Sequence, residues 1–204
     1  MTTKAEPAVV IPFRRRAETV DEVSDDALVA ACASGDSHAL ARLFDRFADD
    51  VSRFLGRLAF VDQQDVGDLV QDVFLAVFKS AATYQRRSGV KTWIFAIAGN
   101  LARERQRKRS RGWAAFKVLR RQGNATDFVS PERGAIAHEL VSRLEQEVAS
   151  LPYEQRVAFV MCDVEDLPGV EVARALGIPT GTLYRRLHHA RKRLRAVVEG
   201  GETR

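Results

Sequence analysis

The sequence predicts an all-α protein made of two small helical domains joined by a flexible linker. Three observations lead there. Apolar residues recur three and four apart through most of the chain, and no stretch alternates convincingly as a strand does. Caps and breakers cut the pattern into short pieces at Ser24-Asp25-Asp26, Gly35, Gly89, Ser130-Pro131 and Gly177. The segment from Leu151 to Arg195 then reads as helix, short helix, tight turn and basic helix. At 204 residues the chain can hold one domain or two small ones, each close to the lower size limit for an independent core.

The elements follow in order. Residues 1–23 show no period and form a leader, in which Arg14 to Arg16 are either a phosphate arm or a solvated tail. Ser24 caps a first helix whose first turn is acidic, and Gly35 ends it. After Asp36 or Ser37 comes a second helix, with Leu40, Leu43, Phe44, Phe47, Val51, Phe54, Leu55 and Leu58 as its core-facing stripe. Asp62 opens a third, with Val66, Leu69, Val70, Val73, Phe74, Val77 and Phe78 inward. Tyr84 to Val90 breaks the period as a loop. A fourth helix starts near Lys91 or Thr92, turns Trp93, Ile94, Ile97, Ala98 and Leu101 inward, and runs out into a basic end. Residues 111–130 are a linker, since Trp113, Phe116, Val118 and Leu119 are too few for a core. Ser130-Pro131 starts a helix reaching about Ala149, and Leu151-Pro152 starts the next. The domains are therefore expected at 24–110 and 131–198, with a tail at 199–204.

Charge narrows the function. The net charge of +5 conceals blocks: residues 17–82 carry 5 basic and 13 acidic residues, 83–121 carry 12 and 1, 122–171 carry 3 and 10, and 172–198 carry 7 and 0. Two basic blocks on one chain point to two nucleic-acid contacts. The acidic blocks cannot face the same phosphates, so they are expected to face solvent or a protein partner. No apolar run is long enough to span a membrane, and the start of the chain lacks the order of a secretory signal, so a cytoplasmic protein is expected. Cys32 and Cys162 lie in apolar helical patterns without metal or redox spacing and read as buried free thiols.

Val172, Leu176, Ile178, Leu183 and Leu187 are spaced to pack inward across a turn at Gly177, which is the layout of a helix-turn-helix. Its second helix contains GTLYRRLHHAR. Thr182 and the early backbone N–H groups can hold phosphate. Tyr184, Arg185, His188 and His189 lie on the outer face as candidates for base edges, and Arg186 for phosphate. Adjacent histidines point different ways on a helix and have no third ligand near, so a metal site is not expected at His188-His189.

DLVQDVFLAVFKS, Asp68–Ser80, followed by KTWIFAIAGNLARERQRKR, Lys91–Arg109, resembles region 2 of the extracytoplasmic-function (ECF) sigma factors. LPYEQRVAFVMCDVEDLPGVEVARALGIPTGTLYRRLHHARKRLR resembles their region 4, and the two occur in family order. The resemblance covers roughly residues 25–110 and 132–198. It implies a bacterial transcription initiation factor that binds core RNA polymerase, recognises the −35 and −10 promoter elements, helps open the DNA and is controlled by an anti-sigma factor. The polar face Asp68, Gln71 and Asp72 then meets the clamp helices of the polymerase's largest subunit. The loop 84–91 and the helix after it capture the −10 strand and a flipped base, a task that needs a pocket wall, polar groups and cations. Tyr84, Arg86, Arg87, Ser88, Lys91, Trp93, Asn100, Arg103 and Arg107 could supply them, with Arg105, Lys108 and Arg109 continuing the basic run. At helical spacing with Ile94 and Ile97, Trp93 is more often a core residue. The chain departs from the commoner family string at Tyr184, Arg185 and Leu167-Pro168-Gly169, the last in place of a serine cap.

The resemblance makes residues 111–130 a tether of roughly 65–70 Å at full extension. Promoter elements about 25 base pairs apart lie roughly 85 Å apart, and the widths of the two domains close the difference. A stand-alone helix-turn-helix regulator is the alternative, but it leaves DLVQDVF and the loop after Tyr84 unexplained. An enzyme is not expected, because no phosphate-binding glycine loop, HExxH or nucleophile pair is present, and no cofactor is implied.

Overall fold

A computed structural model describes residues 23–58, 63–116 and 135–201. The leader as far as residue 22, most of the linker, the Ser130-Pro131 helix start and the last three residues lie outside them. Every regular element among the described residues is helical.

The first unit comprises α1 (Asp25–Ala33), α2 (Ser37–Arg57), α3 (Gln63–Ser80), a 3-10 turn at Ala81–Thr83 and α4 (Val90–Phe116). Ser24 caps α1 by accepting from the Ala27 N–H at 3.3 Å, and Asp36 caps α2 by accepting from His38 and Ala39 at 2.8 and 3.3 Å. Between them Gly35 takes a φ of +88°, the left-handed conformation that closes α1. Leu43, Val51, Phe54 and Leu55 of α2, Val73 and Val77 of α3, and Ile94 and Phe95 of α4 are fully buried together. The Phe54 and Phe95 rings stack at 4.5 Å. Phe44 departs from its expected inward place: it sits at the edge of the α2 stripe, 38% exposed, tilted against Phe74 at 4.9 Å.

The second unit comprises α5 (Ala135–Ser150), α6 (Tyr153–Phe159), a π-helical turn at Val160–Val164, α7 (Gly169–Ala175) and α8 (Thr180–Gly201). The α7–α8 turn is a Schellman closure. Gly177 has φ +65°, its N–H reaches the Arg174 carbonyl, and the Ile178 N–H reaches the Ala173 carbonyl at 3.0 Å. Val172, Leu183 and Leu187 are buried, while Leu176 and Ile178 pack at the margin. Leu151, Ala190 and Leu194 bind α8 to the end of α5.

The two units pack on one another, which the sequence did not announce. Their buried residues form one continuous apolar cluster, and α7 lies against α4. Val157 sits 3.7 Å from where a Cβ on Gly99 would stand. The Tyr153 hydroxyl donates to the Gly99 carbonyl at 2.5 Å. Arg156, 1% exposed, spans the seam. Its guanidinium donates to the Leu151 carbonyl at 2.8 Å, to the Ala149 carbonyl, and across the seam to the Leu58 carbonyl at the end of α2. Burial lowers its pKa to about 10, so it keeps its charge at neutral pH. A planar donor fork is well matched to several carbonyls at once.

Replacing Arg156 by alanine is therefore expected to leave buried carbonyls unpaired and a void behind. Urea unfolding should show a loss of about 3 kcal/mol. A loss under about 1 kcal/mol would mean that the three carbonyls do not depend on it.

Candidate nucleic-acid interface

The basic helix α8 presents its candidates as its periodicity requires. Leu183, Leu187, Ala190 and Leu194 form the buried seam, three and four residues apart. That leaves Tyr184, Arg185, His188 and His189 exposed, with Thr182 and Arg186 half-buried beside the seam. The helix is fixed from behind by ion pairs. Arg191 grips Asp163 through two bonds of 2.6 and 2.8 Å, and Arg193 reaches Glu147 at 2.6 Å and the Ser150 hydroxyl at 2.9 Å. The hydrogen bond that Arg191 donates to Asp163, on the π-helical turn, raises the Arg191 pKa. A paired guanidinium of this kind holds α8 in place and leaves its outer face open.

Tyr184 is half-exposed but its ring folds back over the start of α7. A Cβ added to Gly169 would stand 3.1 Å from the phenol oxygen and 3.3 Å from the ring carbon bearing it. The Leu167-Pro168-Gly169 stretch and Tyr184 are thus two ends of one contact. Pro168 occupies the cap position of α7 with no side-chain cap bond, and the glycine after it admits the phenol. This shape constraint could not be read from the one-dimensional pattern.

The second candidate surface runs along the loop before α4 and down that helix. Tyr84 donates to the Ser88 carbonyl at 2.7 Å and closes the loop over Arg86, which takes a φ of +54°. Burial, helped by the Asp26 carboxylate, pushes the Tyr84 phenol up to about 12, so it stays a donor well above neutral pH. The Tyr84 and Trp93 rings meet at 4.9 Å. Trp93 is half-buried against the core, so it holds the Tyr84 wall as well as filling its own place. Tyr84, Arg86, Arg87 and Ser88 line a cleft of about 490 Å³, together with Asp26, Glu171 and Arg174. Farther down α4, Asn100, Arg103 and Arg107 line a smaller groove with Glu104 and Lys108, which pair at 2.9 Å. The structure therefore divides the −10 candidates into a loop group and a mid-helix group. Lys91 stands between them, half-buried, bonded to Asp50 at 2.9 Å and Glu165 at 3.3 Å. Burial pulls its pKa down, but the two carboxylates outweigh burial and raise it overall.

On α3, Asp68, Gln71 and Asp72 share one exposed face, and Asp72 stands 3.8 Å from Arg105 of α4. Leu75, 53% exposed one turn later, extends that face with an apolar patch that sequence reasoning passed over. Its signal was available: Leu75 is the apolar residue of α3 that falls outside the buried stripe. Among the described residues no three His, Cys, Asp or Glu side chains converge to hold a metal, and no helix is long and apolar enough to cross a membrane.

With this geometry the sequence matches two known families. Sigma-70 region 2 covers residues 43–112, and Sigma-70 region 4 covers residues 142–194. The chain is 31% identical over 173 residues to the ECF RNA polymerase sigma factor SigM of Mycobacterium tuberculosis, a match covering 85% of this chain and 84% of that protein. It is a member of the ECF sigma factors. It is also 33% identical over 168 residues to SigE of Mycolicibacterium smegmatis, where the match covers 80% of this chain but 64% of the relative. The fold resembles the sigma factor RpoE of Bartonella quintana in its complex with the anti-sigma factor NepR, with a TM-score of 0.63, 19% identity and coverage of 78% of this chain and 96% of that one. Sigma factors are transcription factors, and transcription initiation with RNA polymerase at promoter DNA is this chain's work. A region 2 match beside the region 4 match disfavours a stand-alone helix-turn-helix regulator.

The Tyr84 hydroxyl gives a direct check on the loop. Tyr84→Phe keeps the ring against Trp93 and removes the bond to Ser88. The expected result is a stability loss of about 1 kcal/mol with faster amide exchange confined to residues 85–90. Exchange unchanged there would show that the loop is held by other contacts.

Proposed function

We propose that this ECF sigma factor divides its labour among three surfaces. Asp68, Gln71 and Asp72 on α3 dock on core RNA polymerase, with Leu75 as an apolar companion. The 84–107 strip captures the −10 strand: Tyr84, Ser88 and Trp93 frame a flipped base, Asn100 reaches a base edge, and Arg86, Arg87, Lys91, Arg103 and Arg107 follow the backbone. The α8 helix reads −35, with Thr182 and Arg186 on phosphate and Arg185, His188 and His189 toward the bases. The domain boundaries that fit this division are 24–110 and 131–198. The chain has no chemistry of its own; the polymerase makes the phosphodiester bonds in the cytoplasm. Anti-sigma control is part of the proposal and is supported by the fold it shares with a sigma factor solved with its anti-sigma partner.

The observation that carries the reading is the exposed outer face of α8. Its seam buries Leu183, Leu187 and Ala190 while Arg185, His188 and His189 stay outside, which is what major-groove entry requires. Tyr184 is the member whose approach to a base is limited, since its ring leans on Gly169. It is better placed to fix the start of the helix-turn-helix than to read a base.

Two measurements test this assignment. Arg185→Ala should weaken binding to a −35 duplex by about 1–3 kcal/mol and relax base preference at one position. Uniform weakening across sequences would reassign Arg185 to phosphate. Asp68→Arg/Asp72→Arg should lower affinity for core polymerase by at least about tenfold through like-charge placement, with the circular dichroism spectrum unchanged. An unaltered affinity in pulldown would remove α3 from the polymerase contact.

A further inference from the structure

The acidic block at 122–171 finds its partner inside the chain. Three of its carboxylates reach from the second unit onto the basic strip of the first. Glu154 of α6 pairs with Arg103 on α4. Glu165, after the π-helical turn, pairs with Arg57 of α2 and with Lys91 of α4, the latter at 3.3 Å. Glu171 of α7 accepts the Gly89 backbone N–H at 2.7 Å, at the mouth of the 84–89 loop. From Lys91 to Arg103 the helix rises about 18 Å, roughly the length of five stacked nucleotides. The contacts thus fall at the top, the shoulder and the middle of one continuous track, and each occupies a donor that a nucleic-acid phosphate would use.

We infer that Glu154, Glu165 and Glu171 stand in for the phosphates of the −10 strand, so that in the closed arrangement the region 4 unit masks the strand-capturing surface of region 2. The inference rests on the assignment of the 84–107 strip to that strand. Its chemistry is charge exchange: three carboxylates leave, and phosphates take their donors. Lys91 also holds a partner within its own region 2 unit, Asp50. Partly exposed ion pairs are individually weak. A strand presenting several phosphates at once, held nearby by polymerase, can therefore replace them, and the contact is strong only against isolated competitors.

The test uses the full chain and a fluorescein-labelled single-stranded DNA of about 20 nucleotides of mixed sequence, read by anisotropy at low salt. Glu154→Gln/Glu165→Gln/Glu171→Gln should bind it about fivefold more tightly or better, and small-angle scattering should show a larger radius of gyration. Adding Arg103→Ala should cost more affinity in that background than in the wild type, where Arg103 is already engaged. Equal affinity for wild type and triple variant, with Arg103→Ala weakening both, would overturn the masking while leaving the strand assignment intact. If Arg103→Ala and Lys91→Ala change neither, the strand assignment falls and the masking with it. Glu154→Gln alone, at the solvent rim, should give part of the gain and keeps the test decisive if the triple variant does not fold.

Discussion

Helix α4 is buried from two directions, and the arrangement of the rest follows from that. Its Ile94, Phe95 and Ala98 close the region 2 core, while Gly99 lets Val157 of the other unit approach its backbone. Ala96, Gly99 and Ala102 are small, so a second helix layer can come close without a void. A helix apolar on nearly every side must be covered on nearly every side. The same helix carries the cations of the proposed −10 track on what surface is left. Core and ligand surface are thus back to back on one element, and any movement of the covering unit changes what the cations can reach.

Arg156 states the same constraint in polar terms. A buried guanidinium is tolerated only where carbonyls satisfy it, and here they come from both units: Ala149 and Leu151 on its own side, Leu58 on the other. The closed arrangement therefore has an apolar component around Val157 and Gly99, a buried polar component at Arg156, and a partly exposed ionic component at Glu154, Glu165 and Glu171. These respond differently to solution conditions. Salt weakens the exposed ion pairs and leaves the buried contacts largely alone.

Much of the fold was legible in the sequence. The Ser24 and Asp36 caps, the glycine closures at Gly35 and Gly177, and the stripes of α2, α3 and α8 lie where local pattern puts them, because capping and helical period depend on neighbours three and four residues away. Phe44 was misjudged because it lies at the margin of an apolar stripe, where period alone does not separate a core residue from one that leans on its rim. The exposed faces of α3 and α8 were legible for the same local reason. The Tyr184–Gly169 contact was not, since it joins two helices across a turn.

Charge shows most clearly where sequence stops. The primary structure determined that a block of net +11 at 83–121 precedes one of net −7 at 122–171. It offered solvent or a protein partner as the destination of the acidic block. Only the tertiary structure decided that Glu154, Glu165 and Glu171 of that block meet Arg103, Lys91 and the Gly89 N–H. The reason is physical: helix period sets which face a residue occupies, but contacts between residues some fifty to eighty apart are set by how whole helices pack, and that depends on the small residues and buried polar groups at the seam.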